Sequence, residues 1–175
     1  SMSSAVARSP NPHRTIVHKF GGTSVADAER YRHVARLLLA RDEDEQITVV
    51  SAMKGVTDAL ITLCEQASTS RTEWRVPWHE LRARHRGVVV SLLGEDSGPT
   101  LEWLDERFEK LAEILAALSV IGELPREVLD RVQGLGEVCS ARLLGDYLKS
   151  KGEDCAVLDA REVLVVGRND LGIAV

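Results

Sequence analysis

A chain of 175 residues, 44% hydrophobic and 28% charged, has the composition of one ordinary globular domain and can bury about 70% of its unfolded surface. Its formal net charge of −5 excludes a general nucleic-acid binder, which needs a net basic face, but leaves room for a local basic pocket that takes a small anion. No apolar run approaches the roughly 20 residues that span a bilayer, and the opening SMSSAVARSPNPHR lacks the apolar centre of a secretion signal, so the expectation is a cytoplasmic protein with no membrane partner.

Residues 1–13 read as a disordered arm, with Ser1 before Met2 as a tag remnant, and residues 14–175 as the folded part. TIVHKF (15–20) is a β-rich run, and GGTSV turns the chain after it. Ala28, Tyr31, Val34, Ala35 and Leu38 then recur at helical spacing, with Asp27 or Ser24 as the cap. The acidic DEDEQ makes a solvated turn, and the β-branched ITVVSA follows as a buried strand. MKGVT leads into a second helix over residues 58–67, so the pattern is that of a parallel sheet with covering helices. STSRTEWRVP reads as a linker, WHELRARHRGVVVSLLG as a helix, and GEDSGPT as its break. The next helix carries Leu101, Leu104, Phe108, Leu111, Leu115 and Leu118 on one face. Past Pro125 come another helical stretch and then GLGEVCSARLLGDYLKSKG, a helix closed by Gly152. CAVLDA (155–160) and EVLVV (162–166) read as strands.

The three cysteines, Cys64, Cys139 and Cys155, lack metal-like spacing and fit small buried residues in a reduced compartment. The five histidines form no HExxH-like set, so no metal role is assigned. HELRARHR reads as a solvated basic helix face, and Trp74, Trp78 and Trp103 as packing residues.

Chemistry concentrates in three places. Lys19 ends the first strand, and Gly21 and Gly22 follow. Glycines let successive N–H groups converge on one anion, the next helix adds its positive dipole end, and the lysine adds a full charge. The spacing is neither a P-loop nor GxGxxG, and by spacing alone a plain strand–helix turn is the favoured reading over an anion site. Ser51 and Thr57 flank the end of the second strand, at the carboxyl edge where open parallel sheets bind ligands; a turn residue and an N-cap are the plainer readings. Glu137 directly follows a Gly-Leu-Gly turn at a helix start. It either complements the dipole or recognises an ammonium group.

KFGGTSV after a first strand, VVSAMKGVTDAL after a second and GLGEVCSARLLGDYL beyond the helical excursion together resemble the amino-terminal part of the aspartokinase catalytic domain. The resemblance spans residues 16–166, with the bifunctional enzymes fused to diaminopimelate decarboxylase as the subtype. It implies an α/β amino-acid kinase (carbamate kinase-like) fold, with a mostly parallel sheet between helix layers. It also implies transfer of the ATP γ-phosphoryl to the side-chain carboxylate of L-aspartate, with Mg²⁺ on the nucleotide, as the first step towards lysine, threonine and methionine. On that basis Lys19 stabilises the transferring phosphoryl, and Phe20, Gly21 and Gly22 form the adjoining phosphate loop. Ser51 and Thr57 are substrate-side hydroxyls, and Glu137 meets the aspartate ammonium. The resemblance further implies a homo-oligomer in the intact enzyme. It places the remaining substrate, catalytic and nucleotide-base residues beyond Val175, so the sheet of this chain is expected to be incomplete, with an exposed edge. Other amino-acid or carbamate-type kinases, a non-catalytic module with the same half-fold and an unrelated α/β domain are the alternatives.

Overall fold

The computed structural model describes residues 15–41 and 45–158. Strand β1 (Thr15–Phe20) and strand β2 (Glu45–Val50) pair in parallel, from Thr15 opposite Glu45 to Phe20 opposite Val50. A parallel pair needs a crossover, and helix α1 (Ala28–Leu39) supplies it. Asp27 starts α1: its Oδ1 accepts the Arg30 N–H at 2.9 Å. Tyr31, Val34, Ala35 and Leu38 form its buried face, as their spacing requires.

The rest of the described chain is helical. Helix α2 is Val56–Thr69, α3 is Arg75–Leu93, α4 is Gly98–Ile121, α5 is Arg126–Gln133 and α6 is Leu135–Ser150. Leu104, Phe108, Leu111, Leu115 and Leu118 of α4 are buried, and α4 packs on α2 through Leu60, Leu63 and neighbouring core residues. Helix α3 packs against both. Trp78 Nε1–H donates to the Phe108 carbonyl at 3.0 Å, and Asp105 of α4 accepts from Arg82 at 3.0 Å and from Arg86. Helices α1 and α6 are tied by a buried hydrogen bond of 2.7 Å between the Tyr31 and Ser140 hydroxyls. Burial pushes the Tyr31 phenol well above its ordinary range, so the group stays neutral.

Several boundaries differ from the sequence expectation. The expected linker shrinks to residues 70–74, because α2 runs on to Thr69 and α3 begins at Arg75 with Trp74 buried beneath it. GEDSGPT is a 3₁₀ turn (Gly94–Ser97) leading straight into α4, whose first turn accommodates Pro99 because the N–H lost there has no helical acceptor. No strand forms over residues 155–158. That stretch lies against α6 instead, its Cys155 thiol 3.4 Å from the Gly145 carbonyl. A Cβ on Gly145 would lie 2.1 Å from Val157, so the glycine is what permits this approach. The expected arm and the expected strand at 162–166 lie outside the described residues.

Cys64 and Cys139 are buried and Cys155 partly so, and none of the three forms a disulfide. Burial pushes the Cys64 thiol up to about 11, with Glu65 adding to the effect, which suits a packing role. Trp74 and Trp78 are core residues, and half-buried Trp103 has the guanidinium carbons of Arg107 and Arg142 each 5.0 Å from its ring centre. Among the described residues, no helix is long and apolar enough to cross a membrane.

Candidate functional site at the carboxyl edge of the sheet

Both strands end at one edge, where their connections to helices leave the sheet. The Ser51 N–H donates to the Phe20 carbonyl at 2.9 Å, one step beyond the last strand pair, and so holds the two loops together where they diverge. After β1, Gly21 precedes a 3₁₀ turn over Gly22–Val25, closed by the Ser24 N–H on the Gly21 carbonyl at 3.0 Å and anchored by fully buried Val25. After β2, Ala52 and Met53 are buried, Lys54 and Gly55 are exposed, and α2 begins.

Gly55 carries the turn into α2. Its φ of +82° is a left-handed conformation that a side chain would strain, and it occupies the N-cap position. Thr57 is therefore not the cap. It sits in the first turn of α2, exposed, with its hydroxyl spared from capping.

The loops converge on Ala52. A Cβ on Gly22 would lie 3.1 Å from the Ala52 carbonyl oxygen, and one on Gly136 would lie 2.7 Å from the Ala52 Cβ and 3.0 Å from Val56 Cγ1. Gly136 thus lets the start of α6 touch the loop after β2. The expected Gly-Leu-Gly turn before Glu137 narrows to Gly134, a turn residue with right-handed angles that separates α5 from α6, and α6 starts at Leu135. Gly136 is required for this close packing, and neither it nor Gly134 has a positive φ. As a result, Glu137 stands in the first turn of α6, exposed and facing the loop after β2.

Gly22, Ser51, Lys54, Thr57, Asp58 and Glu137 are among the residues that line one open cavity of about 400 Å³. Residues from three separate stretches of sequence, including Ser51, Thr57 and Glu137, therefore share one space. Lys19, Phe20 and Gly21 lie beside it but not in its wall. Lys19 is exposed on the open face of the sheet, opposite Val49, and Phe20 is turned towards the core. A Cβ on Gly21 would meet nothing within 4 Å, so the backbone there is open to a ligand. The edge offers N–H groups, two hydroxyls, two carboxylates and lysine ammonium groups, a set suited to binding a zwitterion beside an anion.

Arg84 was not legible as part of this edge. HELRARHR reads as a solvated face, but Arg84 of α3 bonds to the loop carbonyls of Ala26 and Lys54, Arg82 and Arg86 pair with Asp105, and His85 is buried. No local signal marks such residues, since their partners lie on other elements.

The comparisons with known proteins extend this picture. The model of the amino acid kinase family matches residues 14–172. Bifunctional aspartokinase/homoserine dehydrogenase 1 of Arabidopsis thaliana is 35% identical over 151 residues, which are 86% of this chain and 17% of that protein. The corresponding enzyme 2 of Escherichia coli is 34% identical over 148 residues, 85% of this chain and 18% of its own length. Aspartokinase 1 of Arabidopsis thaliana is 32% identical over 162 residues, 89% of this chain and 27% of that enzyme. The bifunctional relatives named here carry homoserine dehydrogenase, whereas the motif resemblance points to a decarboxylase fusion. The crystal structure of E. coli aspartokinase III with aspartate and ADP superposes with a TM-score of 0.69 at 24% identity, over 79% of this chain and 30% of that one. The chain thus spans less than a third of each of these relatives. The family match over nearly the whole sequence and the shared arrangement of sheet and helices give one conclusion: this chain belongs to the amino acid kinase family and has its fold.

Proposed function

We propose that the full-length protein is an aspartokinase, transferring the γ-phosphoryl group of ATP to the side-chain carboxylate of L-aspartate to give 4-phospho-L-aspartate. The observation that carries this reading is the single cavity shared by Ser51, Thr57 and Glu137 beside the Gly21–Gly22 turn. The names of the relatives support it, as does the crystal structure of aspartokinase III in complex with aspartate and ADP.

In this reading the carboxylate of Glu137 receives the substrate ammonium, and the Ser51 and Thr57 hydroxyls donate to its carboxylate oxygens. The Gly21–Gly22 backbone and the Lys19 ammonium receive the phosphates. The acceptor carboxylate is already a nucleophile: one of its oxygens forms a bond to the γ-phosphorus as the bond to the β,γ-bridging oxygen breaks, and ADP leaves. No general base is required, so the protein's contribution is alignment and charge neutralisation. The described residues contain no cluster of three or more His, Cys, Asp or Glu for a metal, and none is assigned to Mg²⁺; the ion would be carried mainly by phosphate oxygens. A place in lysine, threonine and methionine synthesis, a cytoplasmic setting and a homo-oligomeric enzyme belong to the same proposal.

The test is calorimetric titration of the full-length protein with L-aspartate, D-aspartate and L-glutamate, followed by a coupled ADP-release assay. Saturable binding specific for L-aspartate, weakened at least tenfold in Glu137→Ala, is the expected result. Lys19→Ala should abolish turnover while leaving the melting temperature unchanged, because Lys19 is exposed. Equal binding of the three amino acids, or near-normal turnover in Lys19→Ala, would overturn the assignment.

A further inference from the structure

The loop after β2 presents Ser51 and Thr57 to the cavity, yet its outermost residues, Lys54 and Gly55, are exposed. Within that loop the Val56 N–H closes on the Met53 carbonyl at 2.9 Å, and the Ser51 N–H bond to the Phe20 carbonyl ties the two loops only where they leave the sheet. A side chain from the helical excursion adds a second tie further out. The Nη2 of Arg84 donates to the Lys54 carbonyl at 2.9 Å and to the Ala26 carbonyl at 3.1 Å. Ala26 ends the Gly22–Val25 turn, and Lys54 immediately precedes the left-handed Gly55 that launches α2. One nitrogen therefore joins the phosphate-side turn to the substrate-side turn.

We propose that Arg84 is a positioning residue that clamps the two site loops together and so sets the placement of Thr57 and Ser51 for the acceptor. This rests on the aspartokinase reading only where substrate affinity is the readout. The two sides differ in their dependence on the clamp. Both turns have buried anchors, Val25 on one side and Met53 and Val56 on the other. The clamped Lys54 carbonyl, however, lies three residues from both Ser51 and Thr57, whereas Ala26 lies four and five residues past Gly22 and Gly21, so losing the clamp acts first on the acceptor side. The guanidinium is exposed, and solvent screens its bonds, which limits the effect to about three- to tenfold.

The experiment compares Arg84→Met and Arg84→Lys with the parent in the full-length protein. Methionine keeps an apolar stem, and lysine restores an ammonium able to donate to both carbonyls. Two readouts are taken: hydrogen exchange of the amides of residues 53–57, which needs no ligand, and calorimetric affinity for L-aspartate and for ADP. In Arg84→Met, exchange should rise about tenfold and L-aspartate affinity should fall three- to tenfold. ADP affinity should stay within twofold, and Arg84→Lys should recover most of both losses. Unchanged exchange in Arg84→Met would overturn the clamp. So would equal losses of both ligands together with a lowered melting temperature, which would mark a general structural role. If the parent does not bind L-aspartate, the functional reading fails, and the exchange data alone decide the clamp.

Discussion

At Gly136 a single methyl group would decide where Glu137 stands. The added Cβ would lie 2.7 Å from Ala52 Cβ and 3.0 Å from Val56 Cγ1, closer than packed carbon atoms tolerate, so α6 and the loop after β2 must separate. Gly136→Ala should therefore cost about 1–3 kcal/mol of stability and weaken L-aspartate binding through the displaced Glu137. Gly21→Ala is the control: its Cβ would meet nothing within 4 Å, and the melting temperature should not change. Melting curves and titrations of both variants check the pair, and equal behaviour would refute the packing argument. The placement of Ser51 at a strand end and of Thr57 and Glu137 at helix starts was legible in the sequence because such ends are locally marked, whereas a ligand role for them rests on the family resemblance. The work of Gly136 was not legible. Glycine in GLGE suggests a turn, whereas its need arises from contact with Ala52, a residue remote in the chain.

The helical elements explain the same division of legibility. The stripes on α1 and α4 came directly from periodicity, since apolar spacing and burial are two views of one helix face. Where polar residues are buried by a neighbouring element, the pattern carries no such mark, and His85 on α3 is the case in point. It is 2% exposed, its Nδ1–H donates to the Leu81 carbonyl at 2.8 Å, and its ring lies 5.3 Å from that of Phe108. Burial pushes its pKa down to about 4 from an ordinary 6.5; the Leu81 bond opposes this shift and the Arg84 charge adds to it. Between those two values the unfolded chain binds the proton and the folded chain does not. Stability present above pH 6.5 is therefore lost as the pH falls towards 4, by up to about 3 kcal/mol. Thermal melts from pH 7 to pH 4.5 should show this decline, and His85→Leu should flatten it. A slope unaltered by the substitution would place the titrating group elsewhere. Asp105 contributes only at lower pH: burial raises its pKa, but the Arg82 and Arg86 guanidiniums outweigh this and hold the carboxyl below its usual range.

Over the whole molecule, the described strands form a two-stranded sheet whose two faces are unlike. One face meets α1 and α6, where Gln46 reaches the Leu38 carbonyl at 3.2 Å and Val50 is buried. The other face bears Val17, Ile47 and Val49, which are 66%, 40% and 50% exposed. Parallel sheets are normally buried on both faces, and β-branched strands such as ITVV have the continuous apolar character that this requires. The pattern of ITVVSA led to the expectation of a buried strand, and the family resemblance implied a sheet between helix layers, whereas among the described residues one side is covered and Ile47 and Val49 are exposed on the other. Apolar patches of this kind drive association. The 175-residue chain taken by itself is thus expected to bury the Val17–Ile47–Val49 face against a second copy. Sedimentation velocity at rising concentration should show reversible self-association. The double substitution Val17→Lys with Val49→Lys should shift the chain towards monomer, since its charges would have to be buried unpaired in the contact. Its melting temperature at low concentration should barely move, because both side chains point away from the helical core. A parent chain that stays monomeric at high concentration, or a variant that associates just as strongly, would show that this face does not drive assembly.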